Sequence, residues 1–250
     1  MRKILDPSKG TYIGGHRGAA RYYPENTMLS FEKALEMGAD LIELDVHLSK
    51  DGIPVIIHNH TLDETTDGKG RVNDYTLEQL KRLDAGSWFS EQYAGLQIPT
   101  LEEVLLWAKG KIWVSIELKQ TPWHYEGLEE KVVQVIETTG MVEQVQVMSS
   151  DHLAVKKTTD LNGELMASMI YHCKLLDPVK NAKEIGARIL NASWHHLSKD
   201  VVDKAHQAGL LVCGGLNNDP DIWIMMQEWG VDMVDTDVPD VLKKVTRLRV

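Results

Sequence analysis

Two acidic side chains interrupt an apolar run, and the next apolar run ends at a histidine. Glu43 and Asp45 lie two residues apart within LIELDV (41–46), and His58 ends the second run. Because alternate residues of a strand share a face, the two carboxylates are predicted to project together. The Asp51-Gly52 pair between the runs is typical of a tight hairpin, which would return His58 to the side of Asp45. The pattern predicts a site where carboxylates meet an imidazole, although a solvated edge strand with a stray histidine gives the same pattern.

Charged side chains also end two further apolar runs. His16 and Arg17 follow the first run of the chain, and Glu117 and Lys119 follow the run Ile112–Ile116. Each pair alone also fits side chains exposed on a turn or in a surface ion pair. Burying such groups is costly unless they pair with one another or with a metal. Three charged strand ends therefore favour one shared site.

The acids among these residues form a hard oxygen ligand set without a thiolate. Glu43, Asp45 and Glu117 favour Mg²⁺ or Ca²⁺ over Zn²⁺. With a divalent ion, Arg17, Lys119 and one protonated histidine, the site carries a surplus of positive charge. That surplus suits an anion that gains negative charge in its transition state, such as a phosphodiester. Two imidazoles beside the ion can act as general acid and general base.

The elements that must position these groups alternate along the chain. The strand-like runs are Tyr12–Gly15, Leu41–Asp45, Ile112–Ile116, Val145–Ser149, Leu165–Ile170, Ala187–Asn191, Leu211–Gly214 and Val231–Asp235. Helical patterns lie between most of them. Eight strands alternating with helices over 250 residues predict an α/β fold, a (β/α)8 TIM barrel, with a doubly wound open sheet as the alternative. In a barrel the charged strand ends collect at the C-terminal face, where such enzymes place their chemistry.

A ninth apolar run and the segment after it do not follow the barrel pattern. Pro54–Ile57 is predicted to fold back on the second strand as an antiparallel ribbon. Residues 61–98 lack barrel periodicity apart from a helical stretch near Thr76–Leu83. We interpret them as a small insertion subdomain after strand 2, at the C-terminal face of a single catalytic domain spanning residues 1–250. Within the insertion, Trp88 is expected to cover the site and contact the substrate. Asn26 is expected to cap the first helix.

Composition narrows the possible partners. The formal net charge of −10 argues against non-specific binding to nucleic acid or to an anionic membrane. Cys173 and Cys213 are too few for a disulfide framework, and a reducing compartment fits them. The first residues, MRKILDPSKGTYIGG, contain no apolar stretch typical of a signal peptide. A cytoplasmic protein with a small-molecule substrate and no stable membrane association is therefore expected, and its oligomeric state stays open.

Five motifs in order resemble the glycerophosphodiester phosphodiesterase family. They are HRGAARYYPENT (16–27), ELDVHLSKDGIPVIIHN (43–59), IPTLEEVL (98–105), IELK (116–119) and VDTDVPDVL (234–242), and the likeness includes DAGSWF (84–89). It extends over nearly the whole chain. The resemblance implies a (β/α)8 barrel that hydrolyses glycerophosphodiesters to an alcohol and sn-glycerol 3-phosphate with a divalent metal.

The resemblance also implies roles for individual residues. By motif, the functional positions are His16 and His58 as acid and base, Arg17 and Lys119 as phosphate contacts, and Glu43, Asp45 and Glu117 as metal ligands. Members of the family are described with the substrate's own hydroxyl attacking phosphorus. The cyclic phosphate that results is then opened by water.

Several positions depart from the family pattern. Asn59 stands where an aspartate normally follows the histidine, and Glu64 stands where an arginine is usual. Gly215 replaces an aromatic residue two positions before Asn217. A serine–phenylalanine pair is usual near Ser149-Ser150. The predicted catalytic set is intact, while residues around it and on the pocket wall differ.

These departures keep two other hypotheses open. One is a phosphodiesterase that acts on another alcohol, such as a sugar or a lysophospholipid headgroup. The other is a catalytically silent binding barrel, against which the retained histidines and acids argue. The leaving alcohol, the choice between Mg²⁺ and Ca²⁺, and which histidine is the acid are not determined by the sequence.

Overall fold

A closed ring of eight parallel strands forms the centre of the molecule. The computed structural model describes residues 11–246. Residues 1–10, which the signal-peptide expectation concerns, lie outside the described part. The strands are β1 (Tyr12–Gly15), β2 (Leu41–Leu48), β3 (Pro54–Ile56), β4 (Trp113–Leu118), β5 (Val145–Ser149), β6 (Met166–Tyr171), β7 (Ile189–Ala192), β8 (Leu211–Leu216) and β9 (Met233–Thr236). Strand β1 pairs with both β2 and β9. This pairing closes the barrel, confirms the predicted TIM barrel and excludes the open sheet.

Helices connect the strands and surround the barrel. They are α1 (Met28–Glu36), α2 (Leu77–Leu80), α3 (Leu101–Ala108), α4 (Leu128–Thr139), α5 (His152–Leu161), α6 (Pro178–Glu184), α7 (Lys199–Gln207), α8 (Pro220–Trp229) and α9 (Pro239–Val245). A bilayer-spanning helix needs about 20 largely apolar residues. Within residues 11–246, no helix combines the length and apolarity to span a membrane.

The predicted cap of α1 is wrong by one residue. Thr27, not Asn26, is the N-cap, and its side chain accepts a hydrogen bond from the Ser30 amide. Asn26 instead adopts a left-handed backbone with φ of 55°. Its side chain is turned toward the barrel interior, where it binds Asp45. The prediction failed because asparagine is as good a cap as threonine locally, and only the tertiary contact distinguishes them.

The alternation of side chains explains how acids can lie within the apolar strand β2. All eight residues of this strand are buried. Ile42, Leu44 and Val46 belong to a hydrophobic cluster that includes residues of α3 and α4. Because side chains alternate along a strand, Glu43 and Asp45 lie on the opposite, inner face.

The predicted ribbon is confirmed. Strand β3 pairs antiparallel with β2, with Val46 opposite Ile56. The amide of Ile57 donates to the carbonyl of Asp45 at 3.1 Å, which brings the chain back to the mouth just before His58. Strand β2 runs three residues past its predicted end because the ribbon supplies hydrogen bonds beyond the barrel.

Residues 61–98 pack around a hydrophobic cluster of their own. The cluster contains Val55 of β3 together with Leu62, Val72, Leu80, Ala85 and Ile98. Helix α2 begins after Thr76, which forms a capping box with Gln79, and is shorter than the predicted stretch. We continue to interpret this segment as an insertion on one barrel domain.

Candidate active site

Three carboxylates meet inside the C-terminal mouth of the barrel. Glu43 and Asp45 come from β2 and Glu117 from β4, where Asp45 and Glu117 are paired in register. One ligand oxygen from each carboxylate lies within 4.8 Å of the others. Glu43 and Asp45 are 2% and 1% exposed, so water screens their charges poorly. These are the three acids that the sequence assigns to a metal.

The pKa values of the three carboxylates are shifted in different directions because their neighbours differ. Burial, followed by the repulsion of Asp45, raises the pKa of Glu43 to about 8. Burial also raises the pKa of Glu117, and Asp45 adds to the effect. The pKa of Asp45 is lowered, because Lys119 and Arg17 outweigh its burial. A cluster of hard oxygen donors that repel one another in a buried space fits Mg²⁺ or Ca²⁺.

Two cations contact this acidic cluster. The Lys119 ammonium lies 2.8 Å from Asp45 and 2.9 Å from Glu117. The Arg17 Nε lies 3.4 Å from Asp45, and its Nη1 donates to Glu25 at 2.9 Å. Both side chains are mostly buried, and their contacts with Asp45 place their positive charges inside the mouth. The structure brings together the acids and the cations that the sequence predicts for this site.

His16 is held beside a carboxylate. Its Nδ1 lies 2.7 Å from Oδ1 of Asp237, a residue that follows β9. Burial opposes protonation of His16, but the hydrogen bond to Asp237 and the charge of Glu43 outweigh it and raise its pKa to about 9. His16 is therefore protonated at neutral pH.

His58 has the opposite tendency. Burial is the largest effect and lowers its pKa to about 4, although the charge of Asp45 acts in the other direction. Its Nδ1 lies 2.7 Å from Oδ1 of Asn59, a neutral amide. At neutral pH His58 is uncharged and can accept a proton.

A buried pair behind His58 fixes its backbone. Nε2 of His47 lies 3.0 Å from the carbonyl oxygen of His58, and Nδ1 of His47 lies 2.9 Å from the hydroxyl of Tyr125. Burial lowers the pKa of His47 to about 3, so its ring is neutral. A neutral ring can donate to the carbonyl through Nε2 and accept from Tyr125 through Nδ1. This pair ties the ribbon to the loop after β4.

An open cavity of about 470 Å³ adjoins the charged cluster. Its wall includes His58, Asn59, Glu64, Glu117, Lys119, Trp123 and His172. Trp123 is 42% exposed, and its ring lies edge-on to His60. Trp88, which the sequence places at the substrate, is not part of this wall. Its Nε1 donates to the carbonyl of Ala85, and its ring contacts Phe89.

Three polar residues of the site are not among the site residues predicted from the sequence. Asn26 donates to Oδ2 of Asp45 at 2.8 Å, Glu25 binds Arg17, and Asp237 binds His16. All three lie within motifs of the family resemblance, PENT and VDTDVPDVL. Their position in those motifs was the available signal. The charged group that each residue contacts could not be predicted, because these contacts form only when the barrel closes.

Comparison with known proteins agrees with this geometry. Residues 16–241 match the glycerophosphoryl diester phosphodiesterase family. A glycerophosphodiester phosphodiesterase of Caldanaerobacter subterraneus subsp. tengcongensis is 36% identical over 238 residues, which cover 95% of this chain and 98% of that protein. One from Bacillus altitudinis is 37% identical and covers 94% of this chain and 98% of its own.

Solved structures give the same result. A phosphodiesterase from Oleispira antarctica in complex with the product sn-glycerol 3-phosphate superposes with a TM-score of 0.85 at 28% identity, covering 94% of this chain and 96% of that chain. A glycerophosphodiester phosphodiesterase from Agrobacterium tumefaciens gives a TM-score of 0.83 at 30% identity, covering 94% and 99%.

Proposed function

Because the chain belongs to the glycerophosphoryl diester phosphodiesterase family, we propose that it hydrolyses glycerophosphodiesters to an alcohol and sn-glycerol 3-phosphate. One observation carries the proposal. A single barrel mouth holds two histidines, one bound to a carboxylate and the other to a neutral amide, beside three carboxylates and two cations. The product complex of the Oleispira antarctica phosphodiesterase supports the choice of product.

The environments of the two histidines suggest their roles. His16 holds a proton at neutral pH and is suited to donate it to a leaving alkoxide. His58 is neutral and is suited to remove a proton from the attacking hydroxyl. Two titratable groups whose pKa values are driven apart in this way are the usual acid and base of one reaction.

The family's two-step route can be balanced with these residues alone. In the first step a free glycerol hydroxyl gives its proton to His58 and forms a bond to phosphorus. The bond from phosphorus to the alcohol breaks, and His16 protonates the departing oxygen. In the second step His16, now neutral, takes a proton from water, which attacks the cyclic phosphate. His58 returns its proton to the glycerol oxygen, and both histidines regain their starting states.

The remaining charges would hold the phosphoryl group. Glu43, Asp45 and Glu117 would bind a divalent ion, which when present supplies Lewis-acid stabilisation of the negative charge on phosphoryl oxygen. Arg17 and Lys119 add fixed positive charge at the same mouth. Asn26 and Glu25 orient Asp45 and Arg17 by hydrogen bonds. Preorganised charge of this kind is worth more in a buried site than in water.

A substrate panel with metal control tests the proposal. Purified protein is incubated with glycerophosphodiesters of different alcohols, with Mg²⁺, with Ca²⁺, and after EDTA treatment, and glycerol phosphate release is measured. We expect release that requires a divalent ion and stops on chelation. Full turnover by the metal-free protein would refute the metal assignment. Absence of release from every diester with either ion would refute the function and favour a silent binding barrel.

A further inference from the structure

Two departures from the family pattern meet in one hydrogen-bonded chain. Oδ1 of Asn59 lies 2.7 Å from Nδ1 of His58, and Nδ2 of the same amide donates to Oε2 of Glu64 at 2.7 Å. Asn59 and Glu64 stand where the family pattern has an aspartate and an arginine. In this series of hydrogen bonds the carboxylate is that of Glu64, one side chain beyond Asn59.

The carboxylate of Glu64 determines which group donates and which accepts in each hydrogen bond from Glu64 through Asn59 to His58. An ionised carboxylate only accepts hydrogen bonds, so the NH₂ of Asn59 must face Glu64. The amide oxygen of Asn59 must then face His58, and Nδ1 of His58 must carry the ring proton. Nε2 of His58 is left with its lone pair free.

The reversed amide orientation is excluded while Glu64 is ionised. It would place the oxygen of Asn59 against the carboxylate, with no hydrogen between them. It would also point an N–H of Asn59 at Nδ1 of His58, which would move the ring proton to Nε2. A base whose Nε2 is already protonated cannot accept a proton there.

We propose that Glu64 is a positioning residue that sets the tautomer of His58 through Asn59. The inference rests on the proposed function, in which His58 is the general base. Glu64 is exposed and lies on the wall of the open cavity, so its removal leaves the barrel core intact. Removal of Glu64 should therefore affect only the orientation of the Asn59 amide and, through it, the ring of His58.

The direct test is the tautomer of His58 in Glu64→Gln. A glutamine amide can donate or accept, so it no longer dictates the orientation of Asn59. In ¹⁵N-histidine NMR, with the His58 signals identified by their loss in His58→Gln, we expect the Nδ1–H population to fall. We expect kcat to fall about 10-fold with KM nearly unchanged, the lower end of the loss seen when an outer partner of a metal-bound imidazole is removed. Glu91→Gln is the matched control, because Glu91 is an exposed carboxylate in the same segment and is not among the residues that line the cavity beside His58.

A rescue variant separates positioning from a general loss of charge. In Asn59→Asp with Glu64→Gln, a carboxylate next to His58 can fix Nδ1–H by itself. We expect this double variant to recover kcat to within about 3-fold of wild type and to restore the Nδ1–H tautomer. Asn59→Asp alone places two carboxylates at hydrogen-bond distance and should be less active than the double variant.

The outcomes distinguish this inference from the proposed function. If Glu64→Gln keeps both the Nδ1–H tautomer and the kcat of Glu91→Gln, Glu64 has no positioning role. Loss of activity with an unchanged tautomer also overturns the inference and indicates a direct substrate contact. If the wild type hydrolyses no diester, the proposed function fails, while the NMR comparison still decides whether Glu64 controls the ring.

Discussion

At the scale of single residues, the hydrogen-bond partner of each imidazole explains whether its pKa is raised or lowered. His16 meets a carboxylate, Asp237, and His58 meets a neutral amide, Asn59. Both rings are largely desolvated, which favours their neutral forms. Only His16 has a nearby anion bound directly to the ring to offset that cost. The same residue type is therefore an acid on one side of the mouth and a base on the other.

The pH dependence of kcat/KM should report both histidines. Below about pH 4 His58 gains a proton and can no longer act as base, and above about pH 9 His16 loses the proton that it must donate. We expect a broad bell with one limb set by each histidine, and a divalent cation bound at Glu43 and Asp45 should move both limbs to lower pH than these metal-free values. The measurement is a pH–rate profile on a glycerophosphodiester at saturating metal.

Asp237→Asn should move one limb and leave the other. Removal of the Asp237 charge lowers the pKa of His16, so the alkaline limb should shift to lower pH while the acid limb stays. A shift of the acid limb instead would mean that His16, and not His58, has the lower pKa of the two.

Substitution of either histidine should greatly reduce the rate, and the two losses should not add in the double variant. His16→Ala and His58→Ala should each lose roughly 10²–10⁴-fold in rate, the usual contribution of a positioned acid or base. The double variant should be little worse, since the two residues act as a unit. A leaving group of low pKa needs little protonation, so it should partly rescue His16→Ala but not His58→Ala. Rates on both substrates give the comparison.

A histidine at the other end of the barrel is the control for these variants. His206 bonds to Asp232, which precedes β9, and His206→Gln should keep full activity. Near wild-type turnover in either His16→Ala or His58→Ala would disprove the two-histidine mechanism.

At the scale of elements, the barrel strands were predictable because burial leaves a clear pattern. Strands covered on both sides are apolar runs, and β1 and β5 begin and end at the predicted residues. Most other ends shift by one to three residues because pairing with neighbouring strands sets them. Charges at Glu43 and Asp45 stood out because acids within such runs are costly.

Loop residues of the site were less predictable for a physical reason. Asn26 fits a helix cap as well as it fits a contact with Asp45, and its local sequence cannot distinguish the two. Asp237 reaches His16 from the opposite end of the chain, 221 residues away. Asn59 and Glu64 were visible as departures from the family pattern, but their hydrogen bond depends on how the ribbon returns.

The loop after β4 should affect headgroup choice more than the predicted tryptophan does. Trp123 lies on the cavity wall, whereas Trp88 packs against Phe89 outside it. An aromatic contact to a ligand contributes about 0.5–1.5 kcal/mol, so Trp123→Ala should change the ratio of kcat/KM between two headgroups by roughly 2- to 10-fold. Trp88→Ala is the paired variant, with a smaller expected change. A larger change in Trp88→Ala would return the substrate contact to the insertion, as the sequence predicts.

At the scale of the whole molecule, the mouth differs in charge from the rest of the chain. The protein carries a formal net charge of −10, yet Arg17, Lys119 and protonated His16 converge on one end of the barrel. Such local charge can attract an anionic diester to an acidic protein. The three carboxylates beneath these cations repel one another, and a bound divalent ion should convert that repulsion into stability of the fold.

Glu43→Gln should therefore change stability in opposite directions with and without metal. In the metal-free protein near pH 8 the partly ionised Glu43 is unfavourable, so the amide should raise Tm. With Mg²⁺ or Ca²⁺ at about 100 times Kd, the wild type should gain about 2.7 kcal/mol, or roughly 5–10 °C in Tm, and the variant should lose most of that gain. Differential scanning calorimetry of both proteins with each ion and with EDTA gives the measurement.

The pH dependence of this difference tests the cause. The folded pKa of Glu43, about 8, lies above its ordinary value of 4.5. Folding therefore favours the protonated acid, and the stability that goes with protonation is lost as pH rises toward 8. Without metal, Glu43→Gln should match the wild type near pH 5, where Glu43 is protonated in the folded state, and exceed it most near pH 8. Glu143→Gln, an exposed acid before β5 at the other end of the barrel, should show no such trend. An advantage of Glu43→Gln that is equal at both pH values would mean that packing, not the buried charge, separates the two proteins.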